Sequence, residues 1–77
     1  MTHSVREELV RTRLVAVIRA ATPAAAEGAA RAVVRGGIRL VEVTFTVPDA
    51  PSVMRALADC GAVVGAGTVL TAAEAHA

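Results

Sequence analysis

Apolar residues fall in short blocks along this chain, and the blocks alternate between two periods. Leu14-Val15-Ala16-Val17-Ile18-Arg19 is a near-continuous apolar run, the pattern of a parallel strand covered on both faces. Ahead of it, Ser4 and Glu7 have capping-box spacing and predict a short helix reaching about Arg13. Thr22-Pro23 reads as an N-cap followed by proline at the first helical position, so a helix is expected from Ala24 to about Arg35. Gly36-Gly37 should end it, because glycine accepts the left-handed backbone of a C-terminal cap. Glu27 and Arg31 stand four apart in the favourable order on the exposed face of that helix.

The same grammar then repeats. Arg39 to Phe45 reads as a second strand, Ser52 to Asp59 as a helix closed by Gly61, and residues 62–67 as a third strand. Val53, Met54 and Leu57 form the inner stripe of the middle helix, with Arg55 and Asp59 expected to pair outside. Thr71 and Glu74 repeat the capping box and open a last helix. Strand starts near residues 14, 39 and 62 recur about every 24 residues. Alternating strands and helices imply right-handed crossovers and a parallel sheet. Three parallel strands leave two open edges, and the last helix has room for only about one and a half turns. Residues 1–77 are therefore expected to be the front part of a larger α/β domain.

One residue breaks the apolar pattern of the second strand. Glu42 lies inside Leu40-Val41-Glu42-Val43-Thr44-Phe45-Thr46-Val47, where glutamate is depleted and an unpaired carboxylate is costly to bury. Pro48-Asp49-Ala50-Pro51 breaks the run, which puts Glu42 near the far end of the strand, where α/β enzymes assemble their sites. Side chains alternate across a strand. Glu42, Thr44 and Thr46 should share one face, while Val41, Val43 and Phe45 face the helices. By the same rule Arg19 goes with Val15 and Val17, and Thr68 with Val64 and Ala66. One polar residue near the end of each strand, Arg19, Glu42 and Thr68, could thus converge at one end of the sheet. That set offers a cation, a proton-transfer group and a hydroxyl donor, which suits a small acid. Plainer readings stand beside it: Arg19 as a structural ion-pair partner of Glu42, Thr68 as a turn threonine, and Thr44 and Thr46 as residues of good β propensity.

Composition narrows the chemistry. A formal charge of +1 argues against nucleic acid or an acidic membrane as partner, and Phe45, the one aromatic residue, gives no stacking platform. All eight basic residues are arginine, so a Walker A phosphate loop is excluded. Gly65-Ala66-Gly67-Thr68-Val69-Leu70 has leucine where a dinucleotide fingerprint wants its third glycine. Its glycines fit better with close backbone approach to a ligand or helix. Cys60 is the only cysteine, which points to a reducing compartment and a small apolar side chain beside Gly61. His3 and His76 have no ligand spacing, and no metal or cofactor is expected. The first eight residues are charged where a signal peptide would be apolar, and no apolar run nears the ~20 residues of a membrane span. A soluble, cytoplasmic protein is expected. Its 55 % hydrophobic content is rich in alanine, and a chain below roughly 80 residues rarely nets more than ~3–5 kcal/mol from one core.

Four motifs occur in order and at matching separations: residues 15–20 (VAVIRA), 36–38 (GGI), 41–48 (VEVTFTVP) and 64–69 (VGAGTV). Together they resemble the N-terminal part of the 2-keto-3-deoxy-6-phosphogluconate / 4-hydroxy-2-oxoglutarate aldolase family over nearly the whole chain. The resemblance implies a (β/α)8 barrel and a class I aldolase, commonly a cytoplasmic homotrimer of the Entner-Doudoroff pathway of carbohydrate metabolism. Such an enzyme releases pyruvate through a lysine Schiff base. Glu42 matches the glutamate that moves protons in the carbinolamine and enamine steps. Thr68, with Gly67, matches the glycine-rich strand end that holds the pyruvate carboxylate, and Arg19 matches an arginine found in part of the family. Thr46 stands where many members carry a substrate-contacting arginine. The family's lysine and phosphate-binding loops belong to later strands. This chain should therefore hold part of a keto-acid site and be inactive alone, since neither arginine nor threonine forms the imine that makes the carbonyl an electron sink. Two other readings are a self-associating α/β module that pairs open sheet edges, and a small phosphate-binding α/β protein using residues 65–68.

Overall fold

A computed structural model of the chain describes residues 4–77. Helix α1 spans Val5–Thr12, α2 Pro23–Arg35, α3 Ala50–Ala56 and α4 Ala72–His76; the strands are β1 Ala16–Ile18, β2 Leu40–Thr44 and β3 Val63–Gly67. The strands form one parallel sheet in the order β1-β2-β3. This is the arrangement of the N-terminal part of a (β/α) barrel.

Local chemistry sets the helix ends. Ser4 Oγ accepts from the Glu7 amide at 3.0 Å, Thr22 Oγ1 from Ala25 at 3.1 Å and Thr71 Oγ1 from Glu74 at 3.1 Å, each satisfying a free N–H of a first turn. The second box closes one residue earlier than its spacing predicts, because Glu74 Oε1 accepts from the Leu70 amide at 2.8 Å. Beyond α2, the Ile38 amide donates to Val33 O at 3.1 Å and the Gly37 amide to Val34 O at 3.0 Å, a Schellman closure. Gly37 makes it possible with φ 106°. Gly37→Ala should therefore cost about 1–3 kcal/mol, read as a lower urea midpoint with an unchanged slope.

Two elements differ from expectation in extent. β1 covers only residues 16–18, because an edge strand is defined by where β2 runs beside it; Leu14 and Val15 are exposed. α3 starts earlier, at Ala50, with Pro51 in its first turn, and ends at Ala56. Asp59 is thus beyond the helix and does not meet Arg55. It lies 3.6 Å from Arg31 instead. Arg31 also binds Glu27 at 3.0 Å and donates to Ala56 O at 2.9 Å, so it ties α2 to the end of α3. The hydrogen bond that Arg31 donates to Glu27, helped by Asp59, raises the Arg31 pKa above its ordinary value. On α1, Glu8 is buried and pairs with Arg11, a contact the spacing of apolar residues does not announce.

The core lies between the sheet and helices α2 and α3. Ile18, Val41 and Val43 meet Ala26, Ala30, Val53 and Leu57 there. Ala26 and Ala30 are fully buried and four apart, so the middle of α2 approaches the core on methyl groups, while Val33 and Val34 pack against it at the helix end. Met54 and Cys60 pack at the margin. On the other side of the sheet, Val5 and Leu9 of α1 line a cleft with Val15, Leu40, Glu42 and Val63. Among the described residues no helix is long and apolar enough to cross a membrane.

Candidate functional site

The register of the sheet sets Val17, Glu42 and Gly65 side by side, and residues in register on parallel strands point the same way. Val41 and Val43 are buried on the helix side, so Glu42 and Thr44 occupy the opposite face, as alternation predicts. Val17 on one flank of Glu42 is 52 % exposed, and Gly65 on the other has no side chain. Glu42 is half-buried. Its carboxylate has no hydrogen bond or ion pair among the described residues, and it lies over Gly67. A Cβ on Gly67 would stand 1.8 Å from Glu42 Oε1 and 2.6 Å from Cδ. Since the register partner of Glu42 is Gly65, the carboxyl leans two residues, about 6–7 Å, toward the C-terminal end of the sheet.

Arg19 and Thr68 meet at that end. Arg19 Nη2 donates to Thr68 Oγ1 at 3.4 Å, and the guanidinium is otherwise solvent-exposed. Thr68 does not share the face of Val64 and Ala66 as strict alternation would require. It lies one residue past β3 with φ 54°, and this left-handed backbone turns its hydroxyl toward Arg19. A β-branched residue in that conformation is a genuine outlier costing of order 1–3 kcal/mol, and such strain clusters at functional sites. The structural ion pair between Arg19 and Glu42 is not formed.

Thr46 is exposed in the turn after β2 and lies 2.5 Å, oxygen to oxygen, from Thr44. Thr44 is fully buried and its hydroxyl has only this partner among the described residues. Either hydroxyl can donate in this contact; with Thr44 as donor no buried donor is left unsatisfied, a cost of about 1–3 kcal/mol, and the proton of Thr46 is left over. The sequence marks Thr44 only as a good strand former; its position two residues from Glu42 on the same face was the clue to its place beside the site.

The structure therefore joins the candidate residues as three pairs at one end of the sheet: Glu42 with Gly67, Arg19 with Thr68, and Thr46 with Thr44. Among the described residues no three His, Cys, Asp or Glu side chains gather as a metal site would need. His76 ends α4, and His3 lies outside the described residues. Cys60 is partly buried against the core.

Comparison with curated proteins found no match for the chain. The family model "Aldolase: KDPG and KHG aldolase" matches residues 5–77. An unpaired carboxylate at the barrel end of a parallel sheet, with an arginine and a strained threonine beside it, is chemistry that such a lyase family can use. The chain belongs to the KDPG and KHG aldolase family.

Proposed function

We propose that this chain supplies the proton-transfer and carboxylate-binding parts of a class I aldolase site. The observation that carries the reading is the Glu42 carboxylate, unpaired and half-buried, leaning toward Arg19 and Thr68. The substrates are 2-keto-3-deoxy-6-phosphogluconate, cleaved to pyruvate and glyceraldehyde 3-phosphate, or 4-hydroxy-2-oxoglutarate, cleaved to pyruvate and glyoxylate.

Each residue then has one task. Arg19 neutralises the substrate carboxylate, and the Thr68 hydroxyl supplies a second contact to it. Thr46 donates its free proton to a substrate oxygen, a neutral contact where many relatives offer arginine. An amine adds to the C2 carbonyl, and Glu42 in its acid form protonates the departing hydroxyl, which leaves as water and gives the iminium. Glu42, now ionised, takes the C4 hydroxyl proton as the C3–C4 bond breaks and its electrons pass into the iminium. It returns that proton to C3 of the enamine. Water then adds to the resulting iminium and passes its proton to Glu42, releasing pyruvate and the free amine and restoring the acid form.

The amine of a class I aldolase is a lysine side chain, and these 77 residues contain none. Alone, the chain is therefore inactive. The working enzyme is a completed barrel, homotrimeric and cytoplasmic, that acts on small keto acids and binds neither nucleic acid nor membrane. The test is to incubate this chain with pyruvate, reduce with borohydride and measure intact mass. The expected spectrum is that of the unmodified protein; a stoichiometric pyruvate adduct rejects the claim of inactivity.

A further inference from the structure

Glycine inside a strand weakens it, since it has no side chain to pack and loses more freedom on folding. β3 nevertheless carries two, Gly65 and Gly67, on the face that Glu42 shares. Their surroundings are opposite. A Cβ on Gly65 would meet nothing within 4 Å, whereas one on Gly67 would be driven into Glu42, 1.8 Å from Oε1, 2.6 Å from Cδ and 2.8 Å from Cγ. Backbone conformation does not explain Gly67 either. The glycines with positive φ are Gly37 and Gly61, so alanine could adopt the main-chain geometry of position 67. The three nearest atoms that a side chain there would meet all belong to Glu42.

We infer that Gly67 is a positioning residue for Glu42: the bare backbone at position 67 is the seat that lets the carboxyl lie along β3 toward the C-terminal end of the sheet. The chemistry follows from the direction of the lean. Val17 and Gly65 flank Glu42 in register, and neither holds the carboxylate by a hydrogen bond. Without the seat, the side chain must take another rotamer and leave the end where Arg19 and Thr68 meet. Gly67 thus contributes by what it lacks rather than by touching substrate. This role rests on the reading of Glu42 as the proton-transfer group.

A double-mutant cycle in the 77-residue chain tests the inference, with urea unfolding and NMR as readouts. The atoms that a Cβ at position 67 would meet belong to the far end of a flexible side chain, so Gly67→Ala should displace Glu42 at a modest cost and leave the folded-to-unfolded ratio below that of Gly65→Ala. Gly65→Ala, on the same strand and face, should leave that ratio unchanged or raise it. In the Glu42→Ala background Gly67→Ala should no longer cost more than Gly65→Ala, because the nearest atoms it would strike are gone. Where Gly67→Ala still folds, three-bond couplings should show a changed Glu42 χ1 rotamer, and they should not change in Gly65→Ala. Equal losses from Gly67→Ala with and without Glu42 would overturn the inference. So would a Gly65→Ala loss as large as that of Gly67→Ala, or a Glu42 rotamer unmoved by Gly67→Ala. None of these readouts uses turnover, so a failure of the proton-transfer reading would show in kinetics while the cycle stayed coupled.

Discussion

Glu42→Gln should lower turnover about 10²–10⁴-fold once this chain is joined to the lysine-bearing strands of a family member. The amide matches the carboxyl in size, so it can keep its place over Gly67 and leave the sheet undisturbed. It cannot give and take a proton near neutral pH. Each proton transfer of the proposed cycle passes through this one group, and each is slowed. In the proposed site substrate affinity rests on Arg19, Thr68 and Thr46 instead, so the loss should fall on kcat with KM nearly unchanged. Steady-state kinetics of the wild type and variant barrels make the comparison, with circular dichroism as a check on folding. A kcat within about threefold of wild type, far below the usual effect of removing a general acid–base, would reject the assignment.

Leu57→Ala should abolish cooperative folding of the 77-residue chain. Leu57 is fully buried just past the end of α3, in the cluster with Val43, Val53, Ala26 and Ala30. A leucine-to-alanine change in a core costs about 2–5 kcal/mol, and a chain this short has only ~3–5 kcal/mol in total. The neighbours cannot make up the difference. Ala26 and Ala30 of α2 offer only methyl groups, and Val33, Val34 and Met54 already pack against the margin of the cluster, so filling the gap would open another. The expected result is a broad, sloping melt in place of a sigmoidal one, with weakened helical dichroism at room temperature. A sharp transition shifted by less than about 1 kcal/mol, below the range for such changes, would show that the core is not centred there.

Much of this architecture is legible because its determinants are local. Ser4, Thr22 and Thr71 cap helices through hydroxyls three residues from their amide partners, and a short sequence window contains everything that decides such a bond. Glu42 is conspicuous for the same reason, as a charge among β-branched neighbours. What stays hidden depends on distant chain or on backbone departure from the ideal. The alternation rule assumes an extended strand, so it misplaces Thr68, whose φ of 54° lies outside that assumption. Asp59 takes a partner from α2 rather than from its own helix, because α3 ends before the next turn can form. Gly67 reads as a generic close approach until the lean of the Glu42 side chain shows what approaches it.

Strand order in the sheet follows chain order, and each strand pairs with the one about 24 residues before it. On a ribosome releasing about 5–20 residues per second, β1, α2 and β2 are therefore available to dock while β3 is still being made. Closing such short loops costs little entropy, so assembly can proceed from the N-terminus without waiting for remote segments. Until β3 is made, Glu42 lies on an open edge of the sheet, facing α1 across the cleft but with nothing beyond it. The strand that carries glycine at position 67 is what completes its surroundings.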